Sequence, residues 1–308
     1  MAHGIADDAL TTTFAAMRKP VVIAPAMNTN MYESPATQEA IRTLSQWDNI
    51  TMLDAASGEL ACGTTGKGRM QEVDVLVAAA EYALTPKTMA GKQVVITAGP
   101  TQEAIDPVRY ISNASTGKMG YSLVRACLNR GAEVTLVSGP THLSLKAWQQ
   151  FCPLRVENVV SSAAMCEATV AAFEQADIAI LCAAVADFTP CTTADKKIKK
   201  QPGQDGMVVE LKTTTDIAAT LGASKQAHQR LVGFALETHD EQANALRKLQ
   251  SKNLDMIVLN SLQDQGAGFG VDTNKVTLLF ADGTKKDLPL LLKQEVADVI
   301  VESILQLI

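Results

Sequence analysis

The segment Asn113-Ala114-Ser115-Thr116-Gly117-Lys118-Met119-Gly120 has the residue types of a phosphate loop that opens a helix. The backbone N–H groups at such a start are free to hold an anion. The spacing is not that of a Walker loop: Met119 stands where Ser or Thr should meet magnesium, and Ser112 where the first Gly should be. Nor is it a dinucleotide fingerprint. Gly99-Pro100-Thr101 lacks the G-x-G-x-x-G pattern, and the second strand ends in Ser138 rather than an acidic residue for a ribose. Spacing alone leaves phosphate binding and a plain loop-to-helix turn both open. The densest basic run is Lys196-Lys197-Ile198-Lys199-Lys200, shortly after a strand end that carries Asp187. It reads either as a solvated loop or as cations that offset the charge of a triphosphate.

Composition narrows the chemistry further. The net charge of -6 and the 4% aromatic content argue against broad nucleic-acid binding, which needs a basic footprint and stacking platforms. None of the six cysteines forms a C-x-x-C pair, so neither a zinc site nor a thioredoxin-type motif is expected. The chain reads as cytoplasmic and reduced. Asp7 and Asp8 fall where a secretory signal would need apolar residues. No apolar run is long enough to span a membrane.

Strand-length apolar runs alternate with helical patterns, which predicts an α/β fold with a parallel sheet. Val94 to Ala98, Glu133 to Val137, Ile178 to Cys182, Leu231 to Leu236 and Met256 to Leu259 are strands. Helices are expected near 118–130, 163–175, 241–251 and 293–307, with a late hairpin around Asp282-Gly283. Earlier in the chain, Val21 to Ala24 reads as a strand, and 37–44 and 72–83 as helices. The polar stretch 85–92 is broken by Pro86 and Gly91 and reads as a linker between domains 1–84 and 93–308. In parallel sheets ligands sit beyond the C-terminal strand ends, so the loops there are where the chemistry is sought.

Read together, the second-domain segments resemble phosphopantothenate–cysteine ligase. They are Thr97 to Thr101, Asp106 to Asn113, Ser115 to Gly120, Ala183 to Phe188, Lys197 to Lys200 and Gly233 to Thr238, in that order. The resemblance implies a Rossmann-like ligase domain. Such a domain would activate the carboxylate of 4'-phosphopantothenate with CTP, release pyrophosphate, and pass the acyl group to L-cysteine. It implies catalytic roles for Asn113, in turning acyl-cytidylate into product, for Arg109, in handling substrate, and for Lys197, in forming the cytidylate. It also implies a nucleotide site lined by Ala183, Asp187, Lys197, Thr213, Asp216, Phe234, Lys248 and Lys252. Ser115, Gly117, Lys118 and Gly120 would form the phosphate and substrate loop. Thr214-Thr215 departs from the Asn-Pro often found there, so that contact is expected through backbone. Mg2+ is implied by triphosphate chemistry, with no ligand set legible. The ligase family is dimeric, and a homodimer is expected.

The first domain resembles phosphopantothenoylcysteine decarboxylase, an FMN enzyme. Pro25 to Tyr32 and Ala61 to Met70 look like its two substrate motifs. Asn28 matches the asparagine that holds the substrate carboxylate, and Cys62 the cysteine that protonates the enethiolate. The family's phosphate loop and catalytic histidine match nothing here, and His3 does not stand in for the histidine. The expectation is therefore an incomplete flavoprotein-type domain with impaired decarboxylation, in front of a ligase. A Rossmann-type NAD(P) or flavin oxidoreductase and a non-catalytic scaffold are the competing readings.

Overall fold

The computed structural model describes residues 1–61, 63–200, 206–237, 240–261, 268 and 270–308. The chain forms two compact units. One holds residues 1–87, 129–131 and 144–153; the other holds 88–128, 132–143 and 154–308.

In the first unit, α1 (Ala9–Ala16) is opened by Asp8, whose carboxylate accepts from the Thr11 N–H at 2.7 Å. Then come β1 (Val21–Ile23), α2 (Thr29–Tyr32), α3 (Pro35–Ser45), β2 (Ile50–Met52), β3 (Ala56–Glu59), β4 (Thr65–Arg69) and α4 (Val73–Leu84). Ser34 caps α3 and Pro35 follows it, where a missing N–H costs nothing. Strands β1 and β2 pair in parallel; β3 and β4 form a hairpin. Helix α4 buries Val75, Ala78 and Ala79; of the apolar positions its spacing indicates, Val73 is exposed and Leu76 only half-buried.

The second unit begins with β5 (Gln93–Ala98), β6 (Gln102–Ala104), β7 (Tyr110–Ser112), α5 (Lys118–Asn129) and β8 (Glu133–Ser138). The short α6 (Lys146–Gln149) belongs to the first unit. There follow β9 (Leu154–Asn158), α7 (Ser162–Phe173), β10 (Ile178–Leu181), β11 (Phe188–Pro190), β12 (Leu211–Thr213), α8 (Ile217–Ser224), β13 (Arg230–Glu237), α9 (Glu241–Ser251) and β14 (Met256–Ser261). The chain closes with β15 (Thr273–Asn274), β16 (Val276–Phe280), β17 (Lys285–Asp287), β18 (Leu291–Leu292) and α10 (Lys293–Leu305).

Eight strands form one sheet in the order β17-β16-β14-β13-β10-β5-β8-β9. The expected parallel pairing holds from β14 to β9, whereas β16 and β17 return antiparallel and make the sheet mixed. Between β16 and β17 the Asp282-Gly283 turn is enough for a hairpin, while a parallel pairing would need a crossover. Strand β5 is buried from Val94 to Ala98, which is why it reads as an unbroken apolar run. The core gathers Val95, Met165, Phe173, Leu221, Leu249 and Ile257 between the sheet and its helices. After β5 the chain winds one way through β8 and β9, then crosses to β10 and continues through β13 and β14. The switch point lies between the C-terminal ends of β5 and β10. Residues 85–92 are not loose throughout: Met89 is fully buried.

Candidate functional site

A cavity of about 680 Å³ opens at that switch point. Its walls bring together Asn113, Ser115, Gly117, Lys118, Gly120, Ala183, Asp187, Thr213, Asp216, Phe234, Lys248 and Lys252, which are far apart in sequence. Arg109 and Lys197 are not among its lining residues. Asn28 lies in the other unit, and Cys62 lies outside the described residues.

The phosphate-loop stretch is seated by close packing on the end of β5. Gly117 has a φ of 80°, and a Cβ there would stand 3.3 Å from the Gly99 backbone. A Cβ on Gly120 would stand 2.5 Å from that of Ala98. These glycines let the N-terminus of α5 approach the strand end closely. Asn113 is held by its carboxamide, whose Nδ2 donates to the carbonyls of Ala184 (3.1 Å) and Val185 (3.2 Å). That turn is itself stitched to β5: Ala184 N–H donates to Gly99 O at 2.9 Å, and Ala183 N–H to Thr97 Oγ1 at 3.2 Å.

Asp187 and the Thr213–Asp216 turn meet because β11 pairs with β12, Phe188 opposite Thr213. Thr214 donates from its N–H to Asp187 O (3.0 Å) and from its hydroxyl to Ala186 O (2.7 Å). Asp216 caps α8, accepting from Ala219 N–H at 3.0 Å, and pairs with Lys252 at 2.8 Å. Burial pushes the Asp216 carboxyl up, but the Lys252 ammonium and the helix N–H groups outweigh it and hold the group below its usual value.

Lys118 is engaged with Asp272 (2.6 Å) and the Gly270 carbonyl (3.2 Å), and its ammonium keeps Asp272 below the usual carboxylate range. Lys293 also lines the cavity, although no motif pointed to it. It is buried, and its Nζ donates to Gly268 O (3.0 Å) and Val271 O (2.5 Å). Desolvation and the neighbouring Lys118 charge lower its basicity. A lysine that opens a helix opposes the macrodipole, and that anomaly was its one sequence signal. Asn260 is a further lining residue that the sequence reading missed; its Oδ1 is buried with no partner among the described residues. The pocket-lining Cys182 thiol is pushed up to about 12 by burial, so it stays a neutral thiol.

Arg109 holds Asp106, with Nε at 3.0 Å and Nη2 at 2.5 Å from Oδ2, and Nη2 reaches Ile198 O at 2.6 Å. Lys197 is exposed on the loop beside Ile198. In the first unit, the two motif segments come together. Met27 N–H donates to Gly68 O at 2.9 Å, and Lys67 pairs with Asp54 at 3.1 Å. Asn28 caps α2, its Oδ1 accepting from Asn30 N–H at 2.9 Å.

Among known proteins, a family model described as "DNA/pantothenate metabolism flavoprotein C-terminal domain" matches residues 89–308. The coenzyme A biosynthesis bifunctional protein CoaBC of Bacillus subtilis (strain 168) is 50% identical over 308 residues, covering 99% of this chain and 74% of that one. The chain belongs to the CoaBC family. The CoaBC of Escherichia coli (strain K12) is 39% identical over 306 residues, covering 99% of this chain and 74% of the relative. A crystal structure of the C-terminal domain of a CoaBC protein superposes with a TM-score of 0.59 at 40% identity, covering 72% of this chain and 97% of that domain. A flavoprotein family model matches residues 1–84. The expectation that the first domain is a truncated remnant is therefore not supported. CoaBC membership places the chain in coenzyme A biosynthesis, and among the described residues no helix is long and apolar enough to cross a membrane.

Proposed function

We propose that the second unit is a CTP-dependent phosphopantothenate–cysteine ligase. The 4'-phosphopantothenate carboxylate attacks the α-phosphorus of CTP, the bond to the β-phosphate breaks, and pyrophosphate leaves. The cysteine amine then attacks the acyl carbon of the cytidylate, loses a proton, and expels CMP. The observation that supports this most is the convergence of Asn113, the Ser115–Gly120 stretch and every nucleotide position except Lys197 on one cavity at the sheet's switch point.

The chain's own groups suit each task. The N-terminus of α5 offers N–H donors to an anionic group. Lys248 and Lys252 supply cationic contacts for a nucleotide, Asp216 holds Lys252 in place, and Phe234 and Ala183 form apolar walls. Asn113 spends its Nδ2 on two carbonyls, which fixes the carboxamide and leaves Oδ1 to accept from the incoming amine or the pantothenoyl amide. Lys197 offsets the charge that builds on the transferring phosphate. Magnesium would enter with the triphosphate. One pocket carboxylate suits such a site, since Mg²⁺ is commonly held by one or two carboxylates together with phosphate oxygens, and Asp187 provides it.

For FMN, the described residues of the first unit offer one orphaned buried polar atom, Thr29 Oγ1, against Gly66. A single hydroxyl is no cradle for a flavin. Decarboxylation, with Asn28 and Cys62 in the roles named above, belongs to the reading through family resemblance alone. A homodimer and a cytoplasmic location belong to the same reading.

The test is product formation followed by mass spectrometry. Phosphopantothenoylcysteine that appears with CTP, phosphopantothenate and cysteine, and not when CTP is replaced by NADPH, supports the ligase over the oxidoreductase. A folded chain that turns over neither favours the scaffold.

A further inference from the structure

The loop that carries Lys197 is fastened to the β6 end at several points. Thr193 Oγ1 donates to Ala104 O at 3.1 Å, and Ala194 N–H to Ile105 O at 3.0 Å. The last anchor is Ile198, where both backbone groups are gripped. Its N–H donates to Asp106 Oδ2 at 3.1 Å, and its carbonyl accepts from Arg109 Nη2 at 2.6 Å. Asp106 has a fully buried side chain, and every other partner it takes comes from its own turn. Oδ1 accepts the N–H groups of Val108 (2.8 Å) and Arg109 (2.9 Å), while Oδ2 accepts the Arg109 guanidinium. A buried carboxylate with this many donors is rigid, because moving it would strand several polar groups at once.

We infer that Asp106 is a positioning residue for the ligation. Through the Ile198 backbone and the Arg109 guanidinium, it fixes where the preceding residue, Lys197, presents its ammonium. Asp106, Ile198 and Lys197 all lie outside the cavity lining, so Asp106 acts on the reaction only by setting where the loop holds Lys197. The inference rests on the proposed role of Lys197 in cytidylate formation. Lys197 is exposed and flanked by exposed lysines, so the neighbouring side chains do little to order it. Its placement comes from the backbone anchor next to it.

The test compares CTP-dependent pyrophosphate release by the full chain and by Lys197→Gln, Asp106→Asn, Ile198→Pro and Ile198→Ala. Ile198→Pro removes the anchoring N–H at an exposed position, so it reports on the anchor even where Asp106→Asn fails to fold. Ile198→Ala keeps both backbone groups. Asp106→Asn and Ile198→Pro are expected to lower kcat by about 10²-fold, the scale of a 1 Å misplacement. KM for phosphopantothenate should stay nearly unchanged and Ile198→Ala should match the parent. In the Lys197→Gln background, Asp106→Asn should add no further loss, and trypsin should cut within Lys196–Lys200 faster in Asp106→Asn. Loss in Lys197→Gln with full activity in Ile198→Pro overturns the inference alone, as does an undiminished further loss on adding Asp106→Asn to Lys197→Gln. Full activity in Lys197→Gln overturns the reading of Lys197 on which the inference stands.

Discussion

The Lys252 ammonium lies 2.8 Å from the Asp216 carboxylate and so joins the C-terminal end of α9 to the N-terminus of α8 at the wall of the cavity. Asp216 caps a helix, and Lys252 offsets the charge that Asp216 would otherwise present to a nucleotide. Asp216→Ala therefore removes a cap, which costs about 1 kcal/mol. It also frees Lys252 for the anionic ligand. Thermal unfolding should show lower stability, while KM for CTP changes by less than in Lys252→Met, which leaves Asp216 facing the ligand. A larger KM effect in Asp216→Ala would mean that the carboxylate itself contacts the nucleotide.

Gly120 allows α5 to sit on the end of β5. The Cβ added by Gly120→Ala would come within 2.5 Å of Ala98 Cβ and 3.2 Å of its Cα. The helix start must then move off the strand, at a cost of about 1–3 kcal/mol. A lowered unfolding midpoint together with a raised KM for CTP is expected. Parent-like values for both would show that the helix start is not held against β5.

Asp106 makes stability depend on acid. Burial alone would raise its pKa, but the Arg109 guanidinium and the N–H groups of Ile198, Val108 and Arg109 outweigh it and hold the carboxyl well below the usual carboxylate range. The unfolded chain then binds a proton that the folded chain refuses. The stabilisation is whole above about pH 4, the value of an unfolded Asp, and fades as the pH falls toward the folded value. Urea melts between neutral pH and pH 3 should show the parent losing stability more steeply than Asp106→Asn. Parallel acid limbs would contradict the assignment.

Much of this was legible in the sequence wherever a long period set the element. The apolar run of β5 and the amphipathic α9 fall at the places their spacing indicates, and α9 matches from Glu241 to Ser251. The short ribbons β6–β7 and β11–β12 were not legible, because three residues carry no period. Helix α8 was missed for another reason. Its sequence contains Gly222, a poor helix former, and tertiary packing requires that glycine, since a Cβ there would stand 1.9 Å from Lys252 O. Lys293 left no trace beyond a lysine at a helix start, because its partners, Gly268 and Val271, lie more than twenty residues earlier in the chain. Arg109 was read as a substrate group. Its spacing does not show that the guanidinium is spent on Asp106 and Ile198, since the Ile198 contact is set only by the fold.

The most direct measurement is pyrophosphate release and product formation, followed in parallel with phosphopantothenate, cysteine, magnesium and CTP, for the parent, Lys197→Gln and Asn113→Asp. The ligase account predicts three outcomes. The parent releases pyrophosphate only with CTP, in step with product. Lys197→Gln loses pyrophosphate release itself. Asn113→Asp still releases pyrophosphate but forms little phosphopantothenoylcysteine, because its carboxylate cannot donate to the Ala184 and Val185 carbonyls that hold the carboxamide in place. No pyrophosphate from the folded parent, or equal product from all three, would contradict it.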